Sequence, residues 1–564
     1  MHRPDTAPRR SLYHRYVVHA PAPAVPSDAP VVIVGGGPIG LATALGLARQ
    51  GVRCVLLTAE LQVSEGSRAI VFTRRSMEIL QQLGVADAVV GQGLAWTSGN
   101  SFYRGERVFR MESPWPADER FPPMTNLQQQ VLEQVLVEAI AREPHIELRW
   151  GHCVSAIVAN DADGATLEVD TPAGVYRQRA AWVVAADGAR STLRGLMGLK
   201  LEGAAYEGRF VIADIQVDLP LPTERLAFFD PDWNRGNTVL MHREPFGLWR
   251  VDYQLPPDET PEQALAEDSL RARIDAQLAL IGQRGVPWTL DWCSVYSARA
   301  LTLADYVHGR VVFVGDAAHL LPIFGVRGAN TGFQDAQNLA WKLGLVVRGV
   351  AGPALLASYS AERVQAAREI VDEAGKSTRF MTPPTRGHRV VRDAVLSLSL
   401  RHAFVRPLFH WRTSRPHDHR DSALNSGDGP AGDVLPSLRL DGGGEPGGDG
   451  AADPHTVEPR DFLLDHLRGD AFVLLTAEPR SDLAPVLAAA AARGVAVTAF
   501  VHPVLARLGL GPVTPGAQAE DDGGGRNGPA WLVRPDQHVV ARWAAATPAV
   551  LDAALRRAVA EGDR

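Results

Sequence analysis

The sequence predicts an α/β chain: a Rossmann-like nucleotide-binding unit, a largely β unit inserted into it, and a small α/β unit towards the C-terminal end. Three observations predict it. An apolar strand, Val31-Val32-Ile33-Val34, runs into Gly35-x-Gly37-x-x-Gly40 and then a helical pattern. A second apolar strand ends in Gly315-Asp316, about 270 residues further on. Between the two, residues 200–300 read mostly as strands, and beyond residue 470 short strands alternate with helices.

Composition sets the frame. At 564 residues the chain has room for three or four domains, at about 100–200 residues each. It is 46% hydrophobic and 21% charged, an ordinary globular balance. A net charge of −7 gives no reason to expect nucleic acid or an anionic membrane as a partner. Cys54, Cys153 and Cys293 are far apart and form no CxxC, which argues against a disulfide framework, a metal site and a dithiol redox centre. The uncharged run 31–48 is broken by Gly35-Gly36-Gly37-Pro38, so it reads neither as a spanning helix nor as a leader. The expected location is the cytoplasm.

In chain order, residues 1–28 are rich in Pro and Ala and read as an extended arm. A βαβ unit follows, with strand 31–34, helix 38–50 and strand 53–57. Helices are expected near 74–83 and 128–142. Short apolar runs in 153–187 suggest strands returning to the sheet. Residues 200–300 suggest a second sheet over the ligand, with one helix near 262–283, and residues 310–375 a strand and then long helices. The run Asp441-Gly442-Gly443-Gly444-Glu445-Pro446-Gly447-Gly448-Asp449-Gly450 is a flexible loop or linker by composition. Strands at 471–476, 495–500, 530–534 and 539–543, with helices near 482–493 and 547–561, complete the last unit.

Three clusters carry chemistry. Gly35 allows a tight turn, Gly37 lets the backbone approach a pyrophosphate, and Gly40 lets helix and strand pack closely; Pro38 and Ile39 open a helix whose N-terminus faces the phosphates. An acidic residue is expected to hold the ribose. Glu60 lies 20 residues past Gly40, whereas strand register favours Thr58. The second cluster is Asp187-Gly188-Ala189-Arg190-Ser191-x-x-Arg194, at the end of an apolar strand. The third runs from Gly315-Asp316 to Gly332. Asp316 suits a ribityl or ribose hydroxyl, and a helix start near 328–330 would stabilise negative charge on a reduced flavin. Paired with the first motif, this marks FAD as the cofactor.

Taken as a set, these motifs resemble the group A flavoprotein monooxygenases, the para-hydroxybenzoate hydroxylase superfamily. Within it the chain is similar to the phenolic-acid and phenol hydroxylases, such as 3-(3-hydroxyphenyl)propionate hydroxylase. The resemblance covers residues 30–375 strongly and 430–560 weakly. It implies a Rossmann-like FAD-binding domain, an α+β substrate domain built on a β-sheet, and a C-terminal thioredoxin-like domain. The corresponding boundaries are 29–200 and 301–375 for the FAD domain, 201–300 for the substrate domain, 376–430 for a helical or linker region, and 431–564 for the last domain. Lacking CxxC, that last domain is expected to pack or oligomerise, with a homodimer as one outcome.

On this sequence the resemblance places Gly35, Gly37 and Gly40 on the FAD pyrophosphate, and Arg68 near the FAD and the nicotinamide dock. It places Gln129 on FAD, Asp187 in a motif tied to FAD and NAD(P)H, and Asp316 on FAD. Pro322, Gly325, Gly328, Ala329 and Asn330 line the isoalloxazine, and Tyr359, Glu362 and Arg363 fall on a late helix. The chain departs from the family pattern at Ile323, Val326 and Arg327, where Pro, Gly and Gln are usual. Arg327 would add positive charge near the flavin edge, bind an anionic substrate, or be a surface arginine.

The implied reaction is hydroxylation of a phenolic or other electron-rich aromatic with NAD(P)H and O₂, through a flavin C4a-hydroperoxide. The catalytic residues stay open, with Arg327, Pro322, His242, Tyr253 and Tyr296 as candidates beside Arg243, Arg250 and Asp252. His319 more readily makes a helix-end hydrogen bond than acts on a substrate. The alternatives are a tailoring hydroxylase of a polycyclic natural product, an FAD oxidase or dehydrogenase without oxygen insertion, and a non-catalytic flavin-binding protein.

Overall fold

The computed structural model describes residues 17–26, 29–66, 69–256, 258–322, 325–408, 415–441, 461–510 and 528–561. Arg68, Ile323, Phe324 and most of the glycine-rich linker lie outside them.

The strand Val31–Val34 sits inside a six-stranded sheet, because its residues are apolar on both faces and every one is buried. From one edge the strands are Val307–His308, Val311–Phe313, Trp182–Ala185, Val31–Val34, Cys54–Thr58 and Ile146–Trp150. All pair in parallel except the first, which closes an antiparallel edge hairpin. The expected helix forms as Pro38–Arg49, with Pro in its first turn where no N–H is needed. It packs on the later helix Gly328–Val347 so closely that a Cβ on Gly46 would lie 2.7 Å from the Ala340 methyl.

Residues 153–187 behave differently from expectation. Only Trp182–Ala185 joins the main sheet. Cys153–Asp161, Gly164–Thr171 and Gly174–Ala180 make a separate antiparallel sheet. Their alternating burial suits a sheet with one wet face, and tight turns with Gly164 and Gly174 at positive φ fold them back on themselves.

The second sheet has eight strands: His319–Leu320, Thr289–Thr302, Glu202–Gln216, Leu248–Gln254, Thr238–Arg243, Arg225–Phe229, Ser98–Tyr103 and Glu106–Glu112. One face packs on the helix Glu267–Leu280 through Val211, Ala213, Met241, Val251 and Tyr253. The other face looks towards the six-stranded sheet. Strands from both expected parts of the FAD domain, 98–112 from 29–200 and 319–320 from 301–375, join this sheet and tie the two units together.

The C-terminal sheet runs Ser426–Gly427, Val539–Trp543, Ala530–Val533, Phe472–Thr476 and Val497–Val501. Its two edge pairings are parallel and the two central ones are antiparallel. Among the described residues no helix is long and apolar enough to cross a membrane.

Candidate active site

A parallel sheet leaves its strand ends at one edge, and there the sequence motifs meet. Val34, Ala185 and Phe313 end three adjacent strands. The turns that follow are tied together: Gly35 N–H donates to the Leu57 carbonyl (2.8 Å), Ala186 N–H to Val34 (2.8 Å) and Val314 N–H to Ala185 (3.1 Å). Gly35 has φ +119, and a Cβ there would lie 2.3 Å from the Ala186 oxygen. A Cβ on Gly40 would lie 2.0 Å from the Gly35 oxygen. At Gly37 a Cβ would meet nothing within 4 Å, because it would project into a cavity of about 700 Å³.

That cavity runs from Gly37, Pro38 and Ile39, past Gly188, Asp316 and 328–330, to the inner face of the eight-stranded sheet. The open space at Gly37, the helix N-terminus at 328–330 and the Asp316 carboxylate fit a dinucleotide with a ring at its far end. Of the other expected cofactor residues, Gln129 also lines it. Gln129 is held by Glu133, whose carboxylate also accepts the Ser64 N–H (2.7 Å) and hydroxyl (2.8 Å).

Several expected residues support the cavity from behind. Asp187 caps the helix Thr192–Leu196, accepting from Ser191 Oγ (2.6 Å) and Leu193 N (3.0 Å). Arg194 joins two motifs by donating to the Ala189 (2.6 Å) and Ala317 (2.9 Å) carbonyls. Thr58 packs on Gly36, where a Cβ would meet it at 2.8 Å. Neither Thr58 nor Glu60 lines the cavity, whereas Glu65 does. Gly315, Pro322 and Gly325 are buried behind the lining, and Gly315 needs its positive φ of 56°.

His319 does not make the expected helix-end bond. It reaches Asp335 (2.6 Å), in the middle of the next helix, and is fully buried. Asp335 also accepts from Arg363 (2.6 Å) and from the Gly315 N–H (3.1 Å). Burial would raise this carboxyl, but His319 and Arg363 outweigh burial and hold it below its ordinary value. Tyr359 donates to the Phe313 carbonyl (2.7 Å), so the late helix braces the Gly315-Asp316 strand.

Asn330 fastens the loop before its helix. It donates to the carbonyls of Val71 (2.9 Å) and Val326 (2.6 Å) and accepts from Thr73 N (2.9 Å) and Ser76 Oγ (2.6 Å). Val326 sits at φ +55, a conformation that favours glycine. Arg327 lines the cavity at 3% exposure, 3.7 Å from Glu373, so it is not a surface arginine.

The sheet end of the cavity is built in cross-strand rows. Arg225, His242, Arg250, Asp214 and Trp292 form one. Leu240, Asp252, Ile212 and Ser294 form the next, and Phe210 and Tyr296 a third. Strand alternation puts all three on the cavity face, and it puts Tyr253 on the opposite face. Arg250 makes a bidentate pair with Asp214 (2.7 Å twice). Burial pushes His242 well below its ordinary value, and Arg225 and Arg250 add to this. Burial depresses Arg225 to about 10. Burial also raises Tyr296 well above the ordinary phenol value, and its ring stacks on Phe210 at 5.7 Å. Asp252 is raised to about 7 by burial and by Asp214, against the pull of Arg250 and Arg225. Arg225, Trp292 and Ser294 were not expected from sequence; Arg225 is buried, and a buried polar residue on a strand alternates like an exposed one.

Known proteins bear on this geometry. A 3-(3-hydroxyphenyl)propionate/3-hydroxycinnamic acid hydroxylase of Mycolicibacterium smegmatis is 33% identical over 383 residues, 66% of this chain and 64% of that protein. The chain therefore matches less than two thirds of that relative's length. A para-nitrophenol 4-monooxygenase of a Pseudomonas species is 33% identical over 346 residues, 59% of this chain and 82% of that protein. The crystal structure of aklavinone-11 hydroxylase with FAD and aklavinone superposes with a TM-score of 0.72 at 25% identity, over 95% of this chain and 99% of that one. A family model described as an FAD binding domain matches residues 28–374, the stretch that contains all three strand-end motifs. The chain belongs to this FAD binding domain family, and FAD is the cofactor its cavity is shaped to hold.

Proposed function

We propose that the chain is an FAD-dependent monooxygenase that hydroxylates a phenolic or other electron-rich aromatic substrate, with NAD(P)H as reductant and O₂ as co-substrate. One observation carries the reading: a single cavity joins the dinucleotide turn at Gly37 to a mixed apolar and charged sheet face at Ile212, Leu240 and Arg225. The names of the two hydroxylating relatives support it. Gly37, Asp316 and the helix start at 328–330 would hold FAD, which when bound supplies hydride acceptance and oxygen activation. Ile212, Leu240 and Leu320 would hold the aromatic ring and exclude water, and the Arg225 row would orient its polar group.

The test is turnover in ¹⁸O₂. Phenols should stimulate NAD(P)H oxidation and yield product carrying one labelled oxygen. NAD(P)H consumption without labelled product selects an oxidase or dehydrogenase instead. A second reading, a tailoring hydroxylase of a polycyclic aromatic, is supported by the aklavinone hydroxylase superposing over 95% of the chain. Preference for a fused-ring phenol over simple phenols would select it. We read the last unit as thioredoxin-like from its mixed strand order.

A further inference from the structure

The aromatic-hydroxylase reading leaves one task unassigned, removal of the phenolic proton that makes the ring a better nucleophile. Six residues of the substrate sheet were open for it, and geometry separates them. Tyr253 faces away from the cavity. Arg243 donates to the Leu221 carbonyl (2.9 Å) and does not line the cavity. Arg250 is engaged by Asp214. Tyr296 is a half-buried hydroxyl whose ionisation is pushed well above the ordinary phenol value, suited to donate rather than to accept a proton. His242 stands between Arg225 and Arg250 in one row, and two neighbouring guanidiniums oppose any proton it would take up.

Asp252 remains. Its carboxylate is buried on the cavity wall, between the aliphatic side chains of Leu240 and Ile212 on the neighbouring strands. One row away on the same face lie Arg225 and Arg250. We propose that Asp252 is the catalytic base that takes the proton of the substrate's phenolic hydroxyl, while Arg225 and Arg250 face the oxyanion that forms. This rests on the aromatic-hydroxylase reading. The substrate O–H bond breaks, its electron pair stays on the phenolic oxygen, and the proton forms an O–H bond on Asp252. The proton passes to solvent when product leaves.

Every charged group facing Asp252 fits this role. Arg250 and Arg225 favour its ionised form, while Asp214 and burial oppose it, which sets it near neutrality at about 7. Burial and Asp214 raise Glu244 well above its ordinary value against the pull of Arg250, 3.3 Å away, while burial pushes His242 down and Tyr296 up, so neither of the last two adds a charge near neutrality. A base serves best when its own ionisation lies close to the working pH.

The test uses the FAD-loaded full-length chain, with 3-(3-hydroxyphenyl)propionate and 4-nitrophenol as probe phenols, and follows labelled product against pH. Wild-type hydroxylation should rise with pH through an apparent value near 7. In Asp252→Asn, hydroxylation at neutral pH should fall by about 100-fold or more. Its rise should move up to the phenol's own ionisation, so that the loss shrinks at alkaline pH and is smaller for the more acidic 4-nitrophenol. Asp252→Glu should restore a rise near neutrality. A purely structural role would lower all rates alike and leave the profile in place. If the wild type hydroxylates a phenol but shows no rise near 7, or Asp252→Asn keeps the wild-type profile, the assignment is overturned while the hydroxylase reading stands. If the wild type hydroxylates no phenol, both fall.

Discussion

Asp252 is also a liability to the fold. Its carboxyl titrates near 7 in the folded chain and at an ordinary 3.8 when unfolded. The folded state therefore binds the proton more tightly, and stability falls as pH rises from about 4 to about 7. Above that, the buried carboxylate costs on the order of 4 kcal/mol. Asp252→Asn should melt higher than wild type at pH 8, with the gap closing below pH 4; a gap independent of pH would contradict this. Val326 carries a different strain. A β-branched residue at φ +55 costs roughly 1–2 kcal/mol. Glycine there would relieve this but would lose about 1 kcal/mol of contact with Ile70, Val71 and Trp96. Val326→Gly should thus leave the denaturation midpoint almost unchanged, whereas Val183→Gly, in a fully buried strand, should cost about 3 kcal/mol or more. The departure of Val326 from the family pattern was legible in the sequence. Its backbone conformation was not, since only the completed loop forces a positive φ.

At the scale of elements, the helix Gly328–Val347 does two jobs. Its N-terminus lines the cofactor cavity, and its middle supplies Asp335 to a buried cluster of His319, Arg363 and the Gly315 N–H. The strands, helices and glycine turn of the nucleotide fold were readable because their signals are local: an apolar run, a Gly spacing, a Pro at a helix start. His319 and Asp335 are 16 residues apart with a loop between them, and no periodicity links them. Their pairing appears only when the helix folds back over the strand end. Removing the shared acceptor leaves Arg363 buried without its carboxylate, a change that costs about 3–5 kcal/mol. Asp335→Asn should lower the melting temperature and, by freeing Gly315, reduce FAD content in the purified protein, read from the flavin absorbance per chain. Full flavin content in a folded Asp335→Asn chain would separate this cluster from cofactor binding.

Across the whole molecule, the least legible feature was how the C-terminal unit joins the rest. Its strands and helices fell close to the expected places, because alternation and apolar runs mark them. Its docking depends on residues no local pattern connects. Trp341, Leu345 and Leu355 from the FAD-domain helices share one apolar cluster with Phe472, Leu532 and Leu555. The turn 534–538 brings Arg534 to Glu362 in a bidentate pair (2.8 and 2.9 Å) and Asp536 to the Trp341 indole (3.0 Å). Lys342 also bonds Glu362 (2.8 Å). Burial would raise Glu362 and Asp536, but Arg534 outweighs it at both, aided by Lys342 at one and His538 at the other, so both stay well below ordinary carboxylate values. Depressed carboxylates contribute stability that is present above their unfolded pKa, about 4, and is lost as pH falls through the folded values. The junction should hold at neutral pH and weaken in acid. Wild-type protein should therefore unfold in one calorimetric transition at pH 7 and in two at about pH 3, with the C-terminal unit parting first. Arg534→Ala leaves two buried carboxylates without their shared cation, so it should split the transition already at pH 7. A single transition for this variant at both pH values would show that the apolar cluster alone couples the two units.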